Sequence, residues 1–411
     1  MSIVRSLSLA ESGLKKIEWA GAHMPALAEI RRKFELTQPF KGLVITTSVH
    51  MEAKTAVNAL TLAAGGAEVH ATGCNPLSTQ DDVAAGLAVS GVNVYAVYGC
   101  TPDEYTEHLS AALACHPHLI LDDGGDLTEL LHGDCKQYAD RLIGGTEETT
   151  TGVHRHRARE KAGQLNFPIL AVNDAEMKHL FDNRYGTGQS VWDAIMHTTN
   201  IVIAGKNVVV AGYGWCGRGV AMRAAGLGAK VIVTEIDPVK AIEAVHDGFS
   251  VMSMPEAARV GDIFVTVTGC KDVITEQHFA VMKNNAVLSN AGHFDCEVDV
   301  AWLNAHGTPH ERRENIVGYE LPDGRILNVL GEGRLVNLAC GNGHPAEIMD
   351  MSFGVQALAL QYLAEHGKEL SVAVHDVPPD IDARVSSYKL KSMNVTLDVL
   401  TDEQREYLAS F

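Results

Sequence analysis

The run Gly212-Tyr213-Gly214-Trp215-Cys216-Gly217 constrains this chain more than any other segment. It follows the β-rich stretch Val208-Val209-Val210-Ala211 and opens a segment carrying Val220, Ala221, Ala224 and Ala225 at helical spacing. A G-x-G-x-x-G element between a strand and a helix lets the backbone approach a pyrophosphate, whose charge then lies at the helix N-terminus. A further strand, Lys230-Val231-Ile232-Val233-Thr234, ends at Glu235, about 20 residues past the glycines, where a carboxylate meets a ribose diol. Glu235 would repel a 2′-phosphate, so the expected cofactor is NAD rather than NADP. The plain alternative is a glycine-rich turn that packs a helix on a strand.

The same alternation of strand and helix runs through most of the chain. An amphipathic stretch containing Leu14 to Ile30 comes first. Short β-rich runs follow at Gly42–Thr47, Ala67–Ala71, Val92–Val97 and His118–Leu121, the last ending in Asp122-Asp123-Gly124-Gly125. A second series starts near Asn207 and continues through Ile263–Val267 and Ala286–Ser289. Glu320–Arg325, with Pro322 and Gly324, reads as a hairpin turn. A long helix follows Pro345 to about Leu363. Apolar strands alternating with helices predict parallel sheets covered on both faces. Two α/β units are therefore expected; the residues leave open which of them the last helix joins.

Composition narrows the functions open to such a chain. With 33 basic and 51 acidic residues among 411, the formal charge is −18, which argues against binding bulk nucleic acid through basic stripes. No apolar run approaches the ~18 residues of a membrane span, and the first residues lack a secretory leader. A cytoplasmic protein is expected. The eight cysteines show no C-x-x-C spacing and are expected to be small, reduced core residues.

Ligands of open α/β sheets collect beyond the carboxyl ends of strands. In the first unit those ends carry His50, Cys74, Asp122 and Asp123. The two aspartates suit an acid/base pair, or one of them caps the next helix. Glu147-Glu148-Thr149-Thr150-Thr151-Gly152 sets carboxylates beside hydroxyls, which suits a ribose, although a polar loop looks the same. Lys178 and Asp182 share a helix face, with Asn183 next to them. Buried beside a cationic nicotinamide, Lys178 would lose its proton and become a base. His154-x-His156 and His116-x-His118 lack further ligands at useful spacing, so no catalytic metal is expected. Asn290-Ala291-Gly292-His293 and Asn342-Gly343-His344-Pro345 each bring a histidine to an element boundary.

Taken together, these segments resemble the S-adenosylhomocysteine hydrolase family over essentially the whole chain. The resemblance is carried by Asn75-Pro76-Leu77-Ser78-Thr79-Gln80-Asp81-Asp82, by Asp122 to Thr128, by Glu147 to Gly152, by the glycine fingerprint and by Gly333-Arg334-Leu335-Val336-Asn337-Leu338. It implies two doubly wound Rossmann-like domains: a discontinuous substrate domain of residues 1–182 and 343–380 and an NAD domain of residues 183–342. Residues 381–411 would form a C-terminal segment of a homotetramer. It also implies a reaction. NAD oxidises a substrate 3′-hydroxyl to a ketone, the C4′ proton becomes acidic, homocysteine is eliminated, water adds, and the hydride returns.

In this reading His50, Asp123, Glu148, Lys178, Asp182 and His293 are the catalytic set. Glu52, Lys54, Glu148, Lys178, Asp182, Asn337 and His344 bind substrate. Thr149, Thr150, Thr151, Asn183, Gly212, Gly214, Gly217, Glu235, Asn290 and Asn337 bind NAD. The segment His50-Met51-Glu52-Ala53-Lys54-Thr55 departs from adenosine-specific members at Glu52 and Lys54. A carboxylate and an ammonium complement the N1–H donor and O6 acceptor of hypoxanthine, which tips the expectation toward S-inosyl- over S-adenosyl-L-homocysteine, unless the two residues simply pair. The basic, aromatic tail of longer members has no counterpart after Glu406-Tyr407-Leu408, so NAD is expected to exchange more readily. The rival reading is an ordinary NAD-dependent dehydrogenase, which would accumulate NADH and release no thiol. A remoter one is an NAD-sensing interaction protein, which would bind NAD without releasing thiol.

Overall fold

The structure, a computed structural model, describes residues 2–410. The amphipathic N-terminal stretch forms two helices, Ala10–Ala22 and Pro25–Thr37. The break between them falls at Pro25, whose missing N–H is harmless in a first helical turn. The backbone N–H groups of Ala26 and Leu27 donate instead to the buried carboxylate of Asp350, which Lys389 also contacts at 2.8 Å.

Six short strands then alternate with helices: β1 (Val44–Ser48), β2 (Glu68–Thr72), β3 (Asn93–Tyr95), β4 (Leu119–Asp122), β5 (Gly144–Glu147) and β6 (Ile169–Leu170). The second series is β7 (Asn207–Ala211), β8 (Lys230–Thr234), β9 (Ser250–Val251), β10 (Ile263–Thr266), β11 (Val287–Asn290), β12 (Thr308–Arg313), β13 (Ile316–Glu320) and β14 (Ile326–Leu330). A last strand, β15 (Val374–His375), pairs with β6.

The result is two separate sheets. One runs β15-β6-β5-β4-β1-β2-β3 and is parallel throughout. The other runs β12-β13-β14-β11-β10-β7-β8-β9, parallel except for the antiparallel meander β12-β13-β14. The chain is thus α/β with two doubly wound sheets. In each, strand order reverses beside the first strand, at β1 and at β7, and a crevice opens there at the carboxyl ends.

The helix Ala346–His366 settles where the end of the chain goes. Its Phe353, Val355, Leu358 and Leu360 are sealed in one apolar cluster with Ile45, Leu121 and Leu27, so it packs on the first sheet. Val210, Val220 and Val265 belong to a separate cluster around the second. Among the described residues no helix is long and apolar enough to cross a membrane.

The cysteines depart from expectation. All eight are free, but only Cys74, Cys135 and Cys340 are buried, while Cys270 and Cys296 are exposed. Cys216, Cys270 and Cys296 instead line the cleft between the sheets, where small side chains leave room.

Candidate active site

A cavity of about 1540 Å³ lies where the carboxyl ends of the two sheets face each other. Its NAD-side wall is built by the glycine fingerprint. Gly212 has φ +101°, and a side chain there would meet the carbonyl of Val267 at 2.9 Å. A Cβ on Gly217 would sit 2.0 Å from the Gly212 carbonyl oxygen, so this glycine lets the helix Trp215–Gly226 lie against its strand. A Cβ on Gly214 would meet no protein atom within 4 Å; it would point into open space. The helix begins at Gly214 with no side-chain cap, leaving its first N–H groups for an anion. Glu235 accepts N–H bonds from Tyr213 at 2.6 Å and Ile236 at 2.7 Å, which hold its carboxylate at the cavity edge. Two buried oxygens, Glu148 Oε1 and Asn337 Oδ1, have no hydrogen-bond partner in the protein. These features fit a bound dinucleotide with a polar substrate beside it.

The opposite wall carries four ionisable side chains, Lys178, Asp182, Glu148 and His344, in one network. Lys178 Nζ lies 2.8 Å from Asn183 Oδ1, 3.4 Å from Asp182 Oδ1 and 3.7 Å from Glu148 Oε1, and every side chain is buried. Asp182 also accepts from Ser352 Oγ at 2.7 Å and faces His344 Nδ1 at 3.0 Å. Glu148 Oε2 accepts from Gln356 Nε2 at 2.6 Å. Burial opposes charge on Lys178, but Asp182, Glu148 and Asp123 outweigh it and hold the ammonium more firmly protonated than an ordinary lysine. The expected loss of the Lys178 proton was tied to a cationic nicotinamide beside it; the protein residues alone favour the cation, and an added positive charge nearby would push the other way. The two carboxylates diverge. Burial raises Glu148 to about 8, whereas Lys178 and His344 overcome burial at Asp182 and keep it ionised. Pairs of carboxyls split in this way are suited to opposite proton roles.

Asp122 and Asp123 also part company. Asp122 accepts from the N–H groups of Leu127 at 3.3 Å and Thr128 at 2.8 Å, capping the helix Asp126–His132. Asp123 faces the cavity, 3.6 Å from His50 Nε2 and 3.8 Å from His293 Nδ1. The turn needs Gly124 at φ +107°, since a Cβ there would strike the His293 ring at 2.3 Å. Glu147 joins the two loops: its Oε1 accepts from Gly124 N at 2.9 Å and Thr149 N at 3.0 Å.

Most of the expected site residues meet at this cavity: His50, Glu52, Asp123, Glu148, Thr149, Thr150, Thr151, Lys178, Asp182, Asn183, Gly212, Gly214, Glu235, His293, Asn337 and His344 all line it. Three do not. Gly217 lies behind the fingerprint. Asn290 is fully buried and spends its amide on the carbonyls of Gly292, Phe294 and Gly333, so it shapes the His293 loop instead of touching a ligand. Lys54 is withdrawn, its ammonium 2.6 Å from both Glu52 Oε2 and the Asn342 carbonyl. Glu52 also caps the helix Ala53–Ala64. The paired histidines of the sequence do not converge either. His116 faces Asp140, His118 accepts from Val44 N, and His156 reaches Glu147.

Ser352 and Gln356 had no counterpart in the motif reading, and His156 was read only as half of a loose histidine pair, not as a partner of Glu147. The first two are polar residues interrupting the apolar run of the long helix, and that interruption was the available signal.

Comparison with known proteins agrees with this geometry. Residues 2–141 match the family model described as S-adenosyl-L-homocysteine hydrolase, and residues 183–343 match the model of its NAD binding domain. The adenosylhomocysteinase of Pyrococcus abyssi is 54% identical over 409 residues, covering 99% of this chain and 97% of that protein. This chain belongs to the S-adenosyl-L-homocysteine hydrolase family. The family's two named activities are equally near. The S-inosyl-L-homocysteine hydrolase of Methanosarcina mazei is 55% identical over 405 residues, covering 98% of each chain. That of Methanopyrus kandleri is 53% identical over 410 residues, covering 99% of this chain and 97% of its own. Overall identity therefore does not separate a hydrolase of the adenosyl compound from one of the inosyl compound; only the base-facing residues can.

Proposed function

We propose that this chain catalyses the reversible, NAD-dependent hydrolysis of a purine nucleosyl-L-homocysteine to the nucleoside and L-homocysteine. The observation that carries this reading is that one cavity joins a dinucleotide fingerprint to the Lys178–Asp182–Glu148 network and to the Asp123–His50–His293 corner. When bound, NAD supplies a hydride acceptor that is regenerated within each turnover. Glu148, Asp182 and Lys178 would grip the ribose diol, the protonated Glu148 offering a donor where the ionised Asp182 offers an acceptor. Lys178 would take the hydroxyl proton once a cationic ring lies beside it. Asp123, His50 and His293 would handle the C4′ proton and the leaving sulfur and water. Thr149, Thr150, Thr151, Asn183 and Asn337 would hold the cofactor from the substrate side.

The reading extends to the base. Glu52 lines the cavity and would accept the N1–H of hypoxanthine, while Lys54, paired with Glu52 and withdrawn behind it, offers O6 no donor, so the base reading rests on Glu52 alone. The limits at 182/183 and 342/343 are supported by β1–β6 and β15 sharing one sheet and β7–β14 the other, whereas 380/381 falls inside the helix Pro379–Ser392, whose Ile381 and Val385 join the first core. A homotetramer is consistent with the exposed Leu397, Val399 and Leu408, and a cytoplasmic location with eight free cysteines. Light scattering and cell fractionation test those two readings.

The decisive experiment measures thiol release. NAD-loaded enzyme should liberate homocysteine from S-inosyl- or S-adenosyl-L-homocysteine with no net NADH, and NAD-stripped enzyme should not. Net NADH in proportion to product would identify a dehydrogenase instead. In the condensation direction, inosine should outcompete adenosine; the reverse order would remove the base assignment.

A further inference from the structure

Among the described residues two groups of metal-ligating side chains stand out, one of them reaching the cavity through His50 and Asp123, and their hydrogen bonds set them apart. In the first, Asp122, Glu147 and His156, both carboxylates already accept backbone N–H groups and His156 bonds to Glu147, so the group is closed. In the second, the ligand atoms of His50, Cys74 and Asp123 all lie within 4.8 Å of one another. Here the bonding leaves a gap. Ser78 has one hydroxyl proton and donates it to the Asn75 carbonyl at 3.0 Å, so its oxygen accepts from His50 Nδ1 at 2.8 Å. Neutral His50 then turns the lone pair of Nε2 toward Asp123 Oδ2, 3.6 Å away. Two acceptors face each other with no proton between them. Cys74 Sγ lies 3.5 Å from the same oxygen.

Tetrahedral zinc bonds nitrogen and oxygen at about 2.0–2.2 Å and sulfur at about 2.3 Å, which places neighbouring ligand atoms roughly 3.3–3.7 Å apart. The two distances measured to Asp123 Oδ2 fall inside that range. A thiolate and an imidazole select a borderline-soft cation over magnesium or calcium. Metal binding would displace the Cys74 thiol proton, which now points toward Asp123 Oδ2, and release it to solvent. His293, 3.8 Å from the other Asp123 oxygen, or water could fill the fourth position.

We propose that His50, Cys74 and Asp123 form an inhibitory site for a thiophilic divalent cation such as Zn²⁺. Binding stands on this geometry alone; inhibition rests on the function proposed above, because the metal would occupy the corner assigned to proton transfer.

The test uses chelator-treated, NAD-loaded enzyme, with Cd²⁺ as spectroscopic probe and Zn²⁺ as inhibitor. One Cd²⁺ per chain should give a thiolate-to-metal ultraviolet band, and Zn²⁺ should block thiol release until a chelator is added. Cys74→Ser should abolish the band and weaken Zn²⁺ binding by roughly a hundredfold, at least what loss of a supporting partner costs. The Cys270→Ser/Cys296→Ser double variant should keep the band. A band that survives Cys74→Ser, or vanishes in the double variant, overturns the site. Should Cys74→Ser fail to fold, the nucleosides provide the second measurement: inosine and adenosine, each at saturation, are tried against Cd²⁺ on the wild type, at least one should exclude it, and Cd²⁺ binding undiminished by both overturns the site. Cd²⁺ bound at Cys74 without loss of thiol release overturns the inhibitory assignment. Metal-free enzyme that releases no thiol sinks the reaction reading and leaves the band test intact.

Discussion

His156 Nε2 stands 2.8 Å from Glu147 Oε2, with both side chains sealed from solvent. Glu147 uses its other oxygen to hold the backbone at Gly124 and Thr149, so this contact braces the loops that carry Asp123, Glu148 and the three threonines. Gly152 makes room for it, since a Cβ there would lie 2.1 Å from the Glu147 carboxyl carbon. His156→Leu removes the partner of Glu147 Oε2 and leaves a buried polar atom unsatisfied, at a cost of about 1–3 kcal/mol. Urea unfolding should show that loss, and NAD titration should show weaker binding. An unchanged midpoint together with unchanged NAD affinity would mean the brace is idle.

The split between Glu148 and Asp182 predicts unequal substitutions. Glu148→Gln keeps a neutral side chain where burial already favours the protonated acid, so thiol release should fall by no more than roughly tenfold. Asp182→Asn removes the anion shared by Lys178, His344 and Ser352 and should cost roughly 10²–10⁴-fold. Steady-state kinetics of both variants checks the order. Equal losses would contradict the division of roles.

The fingerprint glycines should fail differently. Gly217→Ala drives a methyl into the Gly212 carbonyl and should lower both the unfolding midpoint and NAD affinity. Gly214→Ala meets no protein atom, so its unfolding midpoint without NAD should match wild type while NAD affinity drops. Thermal melts with and without NAD separate the two cases, because only ligand binding adds a concentration-dependent shift.

His50 should resist protonation. Burial is the largest influence; His293, His344 and Lys54 add to it, and Asp123 only partly opposes them, so the pKa falls from 6.5 to about 4. The sign follows from linkage: below pH 6.5 the unfolded chain takes up a proton that the folded chain refuses. The contribution of this residue to stability is complete above pH 6.5 and disappears as pH falls through about 4. Nitrogen-15 NMR of the imidazole should show a neutral ring protonated at Nδ1 at pH 5.5. A charged ring there would refute the assignment, including its bond to Ser78.

The sequence by itself determined the dinucleotide side of this protein, because that binding is local: strand, three glycines, helix and Glu235 lie within one βαβ unit, and their spacing is the site. It also placed Asp123, Glu148 and Lys178 at strand ends or on one helix face, since alternating apolar runs fix where parallel strands stop. Only the tertiary structure decided what each group does there. Asp122 turned to cap a helix while Asp123 turned to the cavity, a choice governed by which backbone N–H groups lay within reach. Asn290 and Lys54 were drawn away by carbonyls distant in the chain, at Gly333 and Asn342. The charge state of Asp182 depends on His344 and Ser352, at the entrance to and on a helix more than 150 residues downstream, whose Gln356 also bonds Glu148. Electrostatics in a buried site is set by distance in space, and spacing along a chain does not encode it.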